Sequence, residues 1–181
     1  TPMNGVLGML GLLKDSGLTT EQAHKLSIAN SSANSLLTLI NDILDFSKIE
    51  AGKLELEYID FNVHDLLGKL VQSIALSAQE KNIEIIIDLT DVHFSSIKSD
   101  PNRIRQIITN ILSNAIKFTE QGEIVITVKL ESTATENDLI LSCKIQDSGI
   151  GIPQEKISLL FGAFSQVDAS TTRKYGGTGL G

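Results

Sequence analysis

The stretch Asn110-Ile-Leu-Ser-Asn114-Ala-Ile-Lys117-Phe118-Thr119 decides how the rest of the chain is read. Residues 110, 114 and 117 are spaced four and three apart, which puts two carboxamides and an ammonium on one face of a helix. Ile107, Ile111, Leu112 and Ala115 would supply an apolar side that packs on a sheet. A carboxamide oxygen is a neutral hard ligand. It suits Mg²⁺, which keeps several waters and shares its other positions between few protein groups and phosphates, while Lys117 can meet phosphate charge directly. The same pattern also describes an ordinary amphipathic helix with solvated Asn and Lys side chains. The surrounding sequence has to separate the two.

The chain has 181 residues, 41% of them hydrophobic, enough for one ordinary domain or a small domain with a helical appendage around a buried core. Its net charge is -7, aromatic residues make up 4% and Trp is absent. Neither a phosphate-backbone footprint nor a base-stacking platform is present, so nucleic acid is not an expected partner. The single cysteine, Cys143, lies in the alternating run Leu139-Ile-Leu-Ser-Cys-Lys-Ile145, which predicts a buried structural thiol and fits a reducing cytosol. No apolar stretch is long enough to span a bilayer and no signal peptide is seen. The expectation is a cytoplasmic segment, attached to a membrane only through segments outside these residues.

From Thr20 to Ile49 there is no Gly or Pro, and Leu26, Ala29, Ala33, Leu36, Ile40 and Ile43 recur at alternating steps of three and four, a heptad seam widened by Leu37 and Leu44. Met3, Val6, Leu7, Leu10 and Leu13 mark an earlier helix over residues 3–14, and Asp15-Ser-Gly17-Leu-Thr-Thr20 reads as the turn between, with Thr19 or Thr20 as the next N-cap. Two helices cannot close a core alone. A homodimer forming a four-helix bundle solves this economically, and packing onto the rest of the chain is the alternative. A domain boundary is expected at Gly52. Beyond it the period changes: Lys53 to Phe61 alternates as a strand, and a helix is expected over residues 63–80 with Asn62 as its N-cap. A strand over 83–89, an extended piece near Ile97, a helix over 102–118, strands over 123–130 and 139–146, and a short helix after Pro153 complete the reading. Helices segregated from strands predict an α+β fold, a helical hairpin followed by a two-layer α/β sandwich.

After the last strand stands Asp147-Ser-Gly149-Ile-Gly151-Ile-Pro153. Glycines there let backbone approach a flat ligand, and a carboxylate can accept a hydrogen bond from an exocyclic amine. The plainer reading is a strand-to-helix turn capped by Asp147. It is not a dinucleotide fingerprint, because the third glycine is missing. Thr171-Thr-Arg173-Lys174-Tyr-Gly176-Gly-Thr178-Gly-Leu-Gly181 combines cations with glycines whose N–H groups can cradle phosphates, or it is a surface loop; no Walker sequence occurs.

Taken together and in this order, these pieces resemble the sensor histidine kinases, whose ATP-binding half is similar to that of gyrase, the Hsp90-type chaperones and the mismatch-repair ATPases, the GHKL group. Asp100 to Thr119 resembles the N box, Asp147 to Pro153 the G1 box, Phe161-Gly-Ala-Phe164 the F box and Gly176 to Gly181 the start of the G2 box. Thr1-Pro2-Met-Asn-Gly5 resembles the tail of the H box, H-E-x-R-T-P, and Asp45-Phe-Ser-Lys-Ile-Glu-Ala-Gly52 the end of the dimerisation hairpin. The wording of Ser165-Gln-Val-Asp168 is similar to that of hybrid kinases carrying receiver domains. The resemblance implies a dimerisation and phosphotransfer hairpin over 1–52 and an ATP-binding domain over 53–181, with ATP and Mg²⁺ as cofactors. It implies a homodimer and a response-regulator receiver domain as partner. Asn110 and Asn114 would serve the Mg²⁺ site, Lys117 and Arg173 would touch phosphate, Phe118 would lie near the nucleoside, and Asp147 would read the adenine amino group. Gly149, Gly151, Gly177 and Gly179 would admit the nucleotide to backbone, and residues 165–181 would form a mobile lid.

In the hydrolytic relatives the position matching Asn110 is commonly a Glu that activates water, and an amide cannot act as that base. Asn110 therefore favours phosphoryl transfer over hydrolysis. The H-box histidine would lie four residues before Thr1, so this chain holds no acceptor of that type; His24, His64 and His93 are read as structural or solvated. The family's last helix and strands would follow Gly181. Gly162-Ala163 departs from the F box, which usually shows an acidic residue and then Pro or Arg. Thr1 stands where the family places a residue that orients water for dephosphorylating the regulator, or it simply caps the first helix. Two rivals stand beside a kinase: an ATP hydrolase of the same superfamily, and a non-catalytic dimeric scaffold.

Overall fold

The computed structural model describes residues 2–135 and 138–159. They fall into two compact units, one running to Leu54 and the other starting at Glu55.

The first unit is a helical hairpin of α1 (Pro2–Lys14) and α2 (Thr20–Glu50). Gly17, at φ +74°, turns the chain between them. Thr19 is the N-cap of α2 in a full capping box, its hydroxyl accepting from Gln22 N at 3.3 Å and its own N–H donating to Gln22 Oε1 at 2.9 Å. Gly52, left-handed at φ +62°, ends the helix: its N–H donates to Ile49 O and Lys53 N–H reaches back to Lys48 O at 2.8 Å. Of the heptad seam only Ala33 is buried, while Leu36, Ile40 and Ile43 are each at least 39% exposed. The hairpin thus leaves its own apolar seam uncovered.

The second unit is the α+β sandwich. Its elements are β1 (Ile59–Asn62), α3 (Val63–Gln79), β2 (Ile83–Asp91), β3 (Ser96–Ser99), α4 (Pro101–Phe118), β4 (Gly122–Ser132), β5 (Leu139–Asp147) and a 3₁₀ helix, Gln154–Leu159. β1 and β3 pair antiparallel as a small separate sheet. The main sheet has the order β2-β4-β5, with β2 parallel and β5 antiparallel to the central β4. Ile124, Ile126, Val128 and Leu130 alternate on the buried face of β4, and they join Leu67, Leu70, Ile74 and Ala78 of α3 and Ile108, Leu112 and Ile116 of α4 in one core. Asn62 caps α3 by accepting from Asp65 N at 3.1 Å.

Three expectations are corrected. The strand expected over 53–61 forms only from Ile59, because its partner β3 is four residues long and ends opposite Ile59 at Ser99; Leu56 and Tyr58 are exposed. Alternation alone makes no strand without a ladder to join. The buried stripe of α4 is Ile108, Leu112, Ala115 and Ile116, one position round from the predicted side, and Ile107 and Ile111 are 60% and 47% exposed. Cys143 is exposed, not buried. It shares the inward parity of Leu139, Leu141 and Ile145 opposite Val128, but β5 is an edge strand among the described residues and its middle lacks cover. Neighbouring side chains still shield the sulfur enough to push the thiol pKa up.

Candidate functional site

The site is built on α4 and on the turn that follows β5. Asp100 starts the helix: its Oδ1 accepts from Asn102 N and Arg103 N at 3.0 Å each, and its Oδ2 accepts from Glu57 N at 3.2 Å. Pro101 at the first helical position needs no donor there. These backbone N–H bonds, that of Arg103 foremost, hold the Asp100 carboxyl below the usual carboxylate range.

With Ile108, Leu112, Ala115 and Ile116 buried, residues 110, 114 and 117 fall on the roughly opposite side of the helix at 3.6 residues per turn. Asn110 is half-buried and Asn114 exposed. Neither carboxamide bonds to a described residue. Only the Asn110 backbone carbonyl is engaged, accepting from Ser113 Oγ at 3.0 Å. The Lys117 ammonium lies 5.1 Å from the centre of the Phe118 ring, a cation–π contact at the last turn.

The turn after β5 is fastened to that same last turn. Gly149 N donates to Asp147 Oδ1 at 2.9 Å, closing an Asx turn, and Ile150 N donates to Phe118 O at 3.3 Å. A Cβ on Gly149 would stand 2.6 Å from Phe118 O and 2.8 Å from Asp147 Oδ1, so glycine is required for this approach. Gly151 is left-handed at φ +67°. The other Asp147 oxygen makes no bond to a described residue. Asp147 and Gly149, far in sequence from Phe118, therefore meet the end of α4 that carries Lys117.

Two further residues hold this place and carry no local signal. Ser148 accepts from Glu123 N at 3.0 Å through its Oγ and donates its own N–H to Glu123 O at 3.1 Å, pinning the turn to the start of β4. Lys81, in the loop between α3 and β2, donates from Nζ to the carbonyls of Ile116, Lys117 and Thr119 at 2.7, 3.2 and 3.4 Å. Both contacts depend on the tertiary fold. The Thr119 side chain is fully buried, and its hydroxyl has no partner among the described residues. No group of three or more His, Cys, Asp or Glu side chains able to hold a metal occurs among the described residues. Thr1, Phe161–Phe164, Arg173, Gly177 and Gly179, with the expected lid, lie outside the described residues. No described helix is long and apolar enough to cross a membrane.

Residues 1–52 match the His Kinase A (phospho-acceptor) domain, and residues 99–181 match the histidine kinase-, DNA gyrase B- and HSP90-like ATPase family. All of the chain aligns with Sensor protein GacS of Pseudomonas syringae pv. syringae at 47% identity and with the signal transduction histidine-protein kinase BarA of Escherichia coli K12 at 46%. It aligns with hybrid signal transduction histidine kinase L of Dictyostelium discoideum at 43% identity. The chain spans 20% of the first two proteins and 10% of the third. Among solved structures, full-length ShkA in complex with AMPPNP is 33% identical, with a TM-score of 0.71 over 99% of this chain and 36% of that one. ThkA in complex with the response regulator TrrA shares the fold at 22% identity, with a TM-score of 0.55 over 91% of this chain and 47% of that one. The chain thus joins a match to the phospho-acceptor domain family with a match to the ATPase family, and along its full length it is similar to sensor histidine kinases.

Proposed function

We propose that this chain is the kinase core of a homodimeric hybrid sensor kinase, with a dimerisation hairpin over 1–52 and an ATP-binding domain over 53–181. The whole protein moves the ATP γ-phosphoryl to a histidine and then to an aspartate on a receiver domain. The observation that carries this reading is the fastening of the Asp147 turn to the Phe118 carbonyl, which joins a base-reading carboxylate to the helix end that carries Lys117. The residues fit the nucleotide. Asp147 keeps an open oxygen for the adenine amino group, Gly149 leaves the backbone bare, and Asn110 and Asn114 hold unengaged amide oxygens suited to Mg²⁺. Bound Mg²⁺ would neutralise charge on the phosphates. Lys117, and Arg173 from the segment beyond the described residues, would steady phosphate oxygens, and Phe118 would lie against the nucleoside. Gly151, Gly177 and Gly179 would admit the nucleotide to backbone. Asn110, lacking a basic oxygen, leaves water unactivated, which favours transfer over hydrolysis. Thr1 is assigned the orienting role in dephosphorylating the regulator, and this reading puts the segment in the cytoplasm.

The test is a longer form that includes the H-box histidine and the residues after Gly181, incubated with labelled ATP and Mg²⁺. An acid-labile, base-stable phosphoryl group on the protein is expected. Nucleotide binding without label would sink the kinase reading, and steady phosphate release would favour the hydrolase. In Asp147→Asn, adenine nucleotide affinity should fall by about 1–3 kcal/mol, and adenine should lose its advantage over guanine; unchanged discrimination would refute the assignment.

A further inference from the structure

The last four carbonyls of a helix lack a further turn to bond with, and here three different donors reach them. Ala115 O accepts from Thr119 N at 3.0 Å, Phe118 O accepts from Ile150 N at 3.3 Å, and the two between, Ile116 O and Lys117 O, both accept from Lys81 Nζ. No glycine closes this helix, because its C-cap Thr119 is extended at φ -97° and ψ 126°. The ammonium replaces the usual Schellman closure and also meets the negative end of the helix dipole. Lys81 is itself aimed by its loop: Asn82 is left-handed at φ +55°, Lys81 N donates to Ala78 O and Asn82 N to Gln79 O, each at 3.0 Å.

We propose that Lys81 is a positioning residue for the nucleotide site, its ammonium tying down the turn of α4 that presents Lys117, Phe118 and the carbonyl to which the Asp147 loop is strapped. The inference rests on the nucleotide reading given above. Without the ammonium these carbonyls lose a donor they share, the turn frays, and the Phe118–Ile150 bond loosens with it. A nucleotide then meets Lys117 and Asp147 in a broader range of geometries.

Lys81→Met keeps the side-chain length and removes the charge. With a fluorescent ATP analogue and Mg²⁺, its dissociation constant should rise about tenfold, the equivalent of one ordinary hydrogen bond, and Lys81→Arg should recover most of the loss. Asn62→Ala, which removes the N-cap of α3 in the same unit and away from the site, provides the control for general destabilisation and should leave the dissociation constant within about twofold. Equal loss in Asn62→Ala and Lys81→Met at matched melting temperature, or native affinity in Lys81→Met, would overturn the proposal. Amide hydrogen exchange without nucleotide gives an independent readout, with Lys81→Met expected to speed exchange at Thr119 and Ile150 and to leave residues 104–108 unchanged. Unaltered exchange there would overturn it as well. Failure of the unmodified chain to bind the analogue would instead count against the nucleotide reading, and faster exchange confined to residues 119 and 150 would still uphold the tie.

Discussion

Asp100 shows how much one side chain can organise. Its two oxygens take three backbone donors from two segments, Asn102 and Arg103 at the start of α4 and Glu57 in the stretch before β1. The bonds favour the charged carboxylate, so its folded pKa lies below the ordinary value of 3.8. A depressed folded pKa means stability that is fully present above the unfolded value and lost as pH falls through the folded one. Thermal melting from about pH 5 down to about pH 3 should therefore show an acid limb that Asp100→Asn flattens, since an amide still caps but no longer titrates. Asp100→Ala should lose several degrees of melting temperature already at neutral pH; an unchanged melt would show that the cap is dispensable. Asp100 could be placed from sequence as the first residue of the N box, but its hold on Glu57 could not, because that contact spans the β1–β3 pairing.

Among the elements, what was legible depended on whether the signal was local. The caps at Thr19 and Asn62, the strands β2, β4 and β5 and the extent of α4 follow from side-chain chemistry and period within a few residues. The missing half of the strand expected over 53–61, the rotation of α4 and the exposure of Cys143 depend on neighbours: the short β3, the sheet under the helix and the open flank of β5. The partners of the candidate site divide in the same way. Asn110, Asn114, Lys117 and Asp147 stand out by residue type and spacing, whereas Ser148 and Lys81 act only through a fold that brings loops together. Helix α1 has a different weakness. It holds Gly5, Gly8 and Gly11, and a Cβ added at any of the three meets no atom within 4 Å. Glycine inside a helix costs about 1 kcal/mol relative to alanine, so Gly8→Ala should stabilise the hairpin by up to about that amount, measured by circular dichroism on heating. A lower melting temperature would show that another chain closes on this glycine face.

At the scale of the molecule, the two units differ in how they complete their cores. The sandwich closes a core of its own between α3, α4 and the main sheet, but the hairpin leaves Leu36, Ile40, Ile43 and Leu44 exposed along α2, with Met9 and Leu12 at 66% and 71% along α1. Unfolding should accordingly show one transition independent of protein concentration and a second whose midpoint rises with concentration, as for a helix pair stabilised by a second copy. Two concentration-independent transitions in calorimetry would rule out the homodimeric bundle. The central pairing of the sheet has a consequence for the order of events during synthesis. β2 meets β4 in parallel, Ile83 opposite Gly122, with β3 and all of α4 between them. The hairpin is made of contacts near in sequence and can assemble as soon as α2 leaves the ribosome, whereas no parallel rung can form until β4 has emerged. In the proposed homodimer, the hairpin is therefore ready to find its twin while the sandwich is still being made.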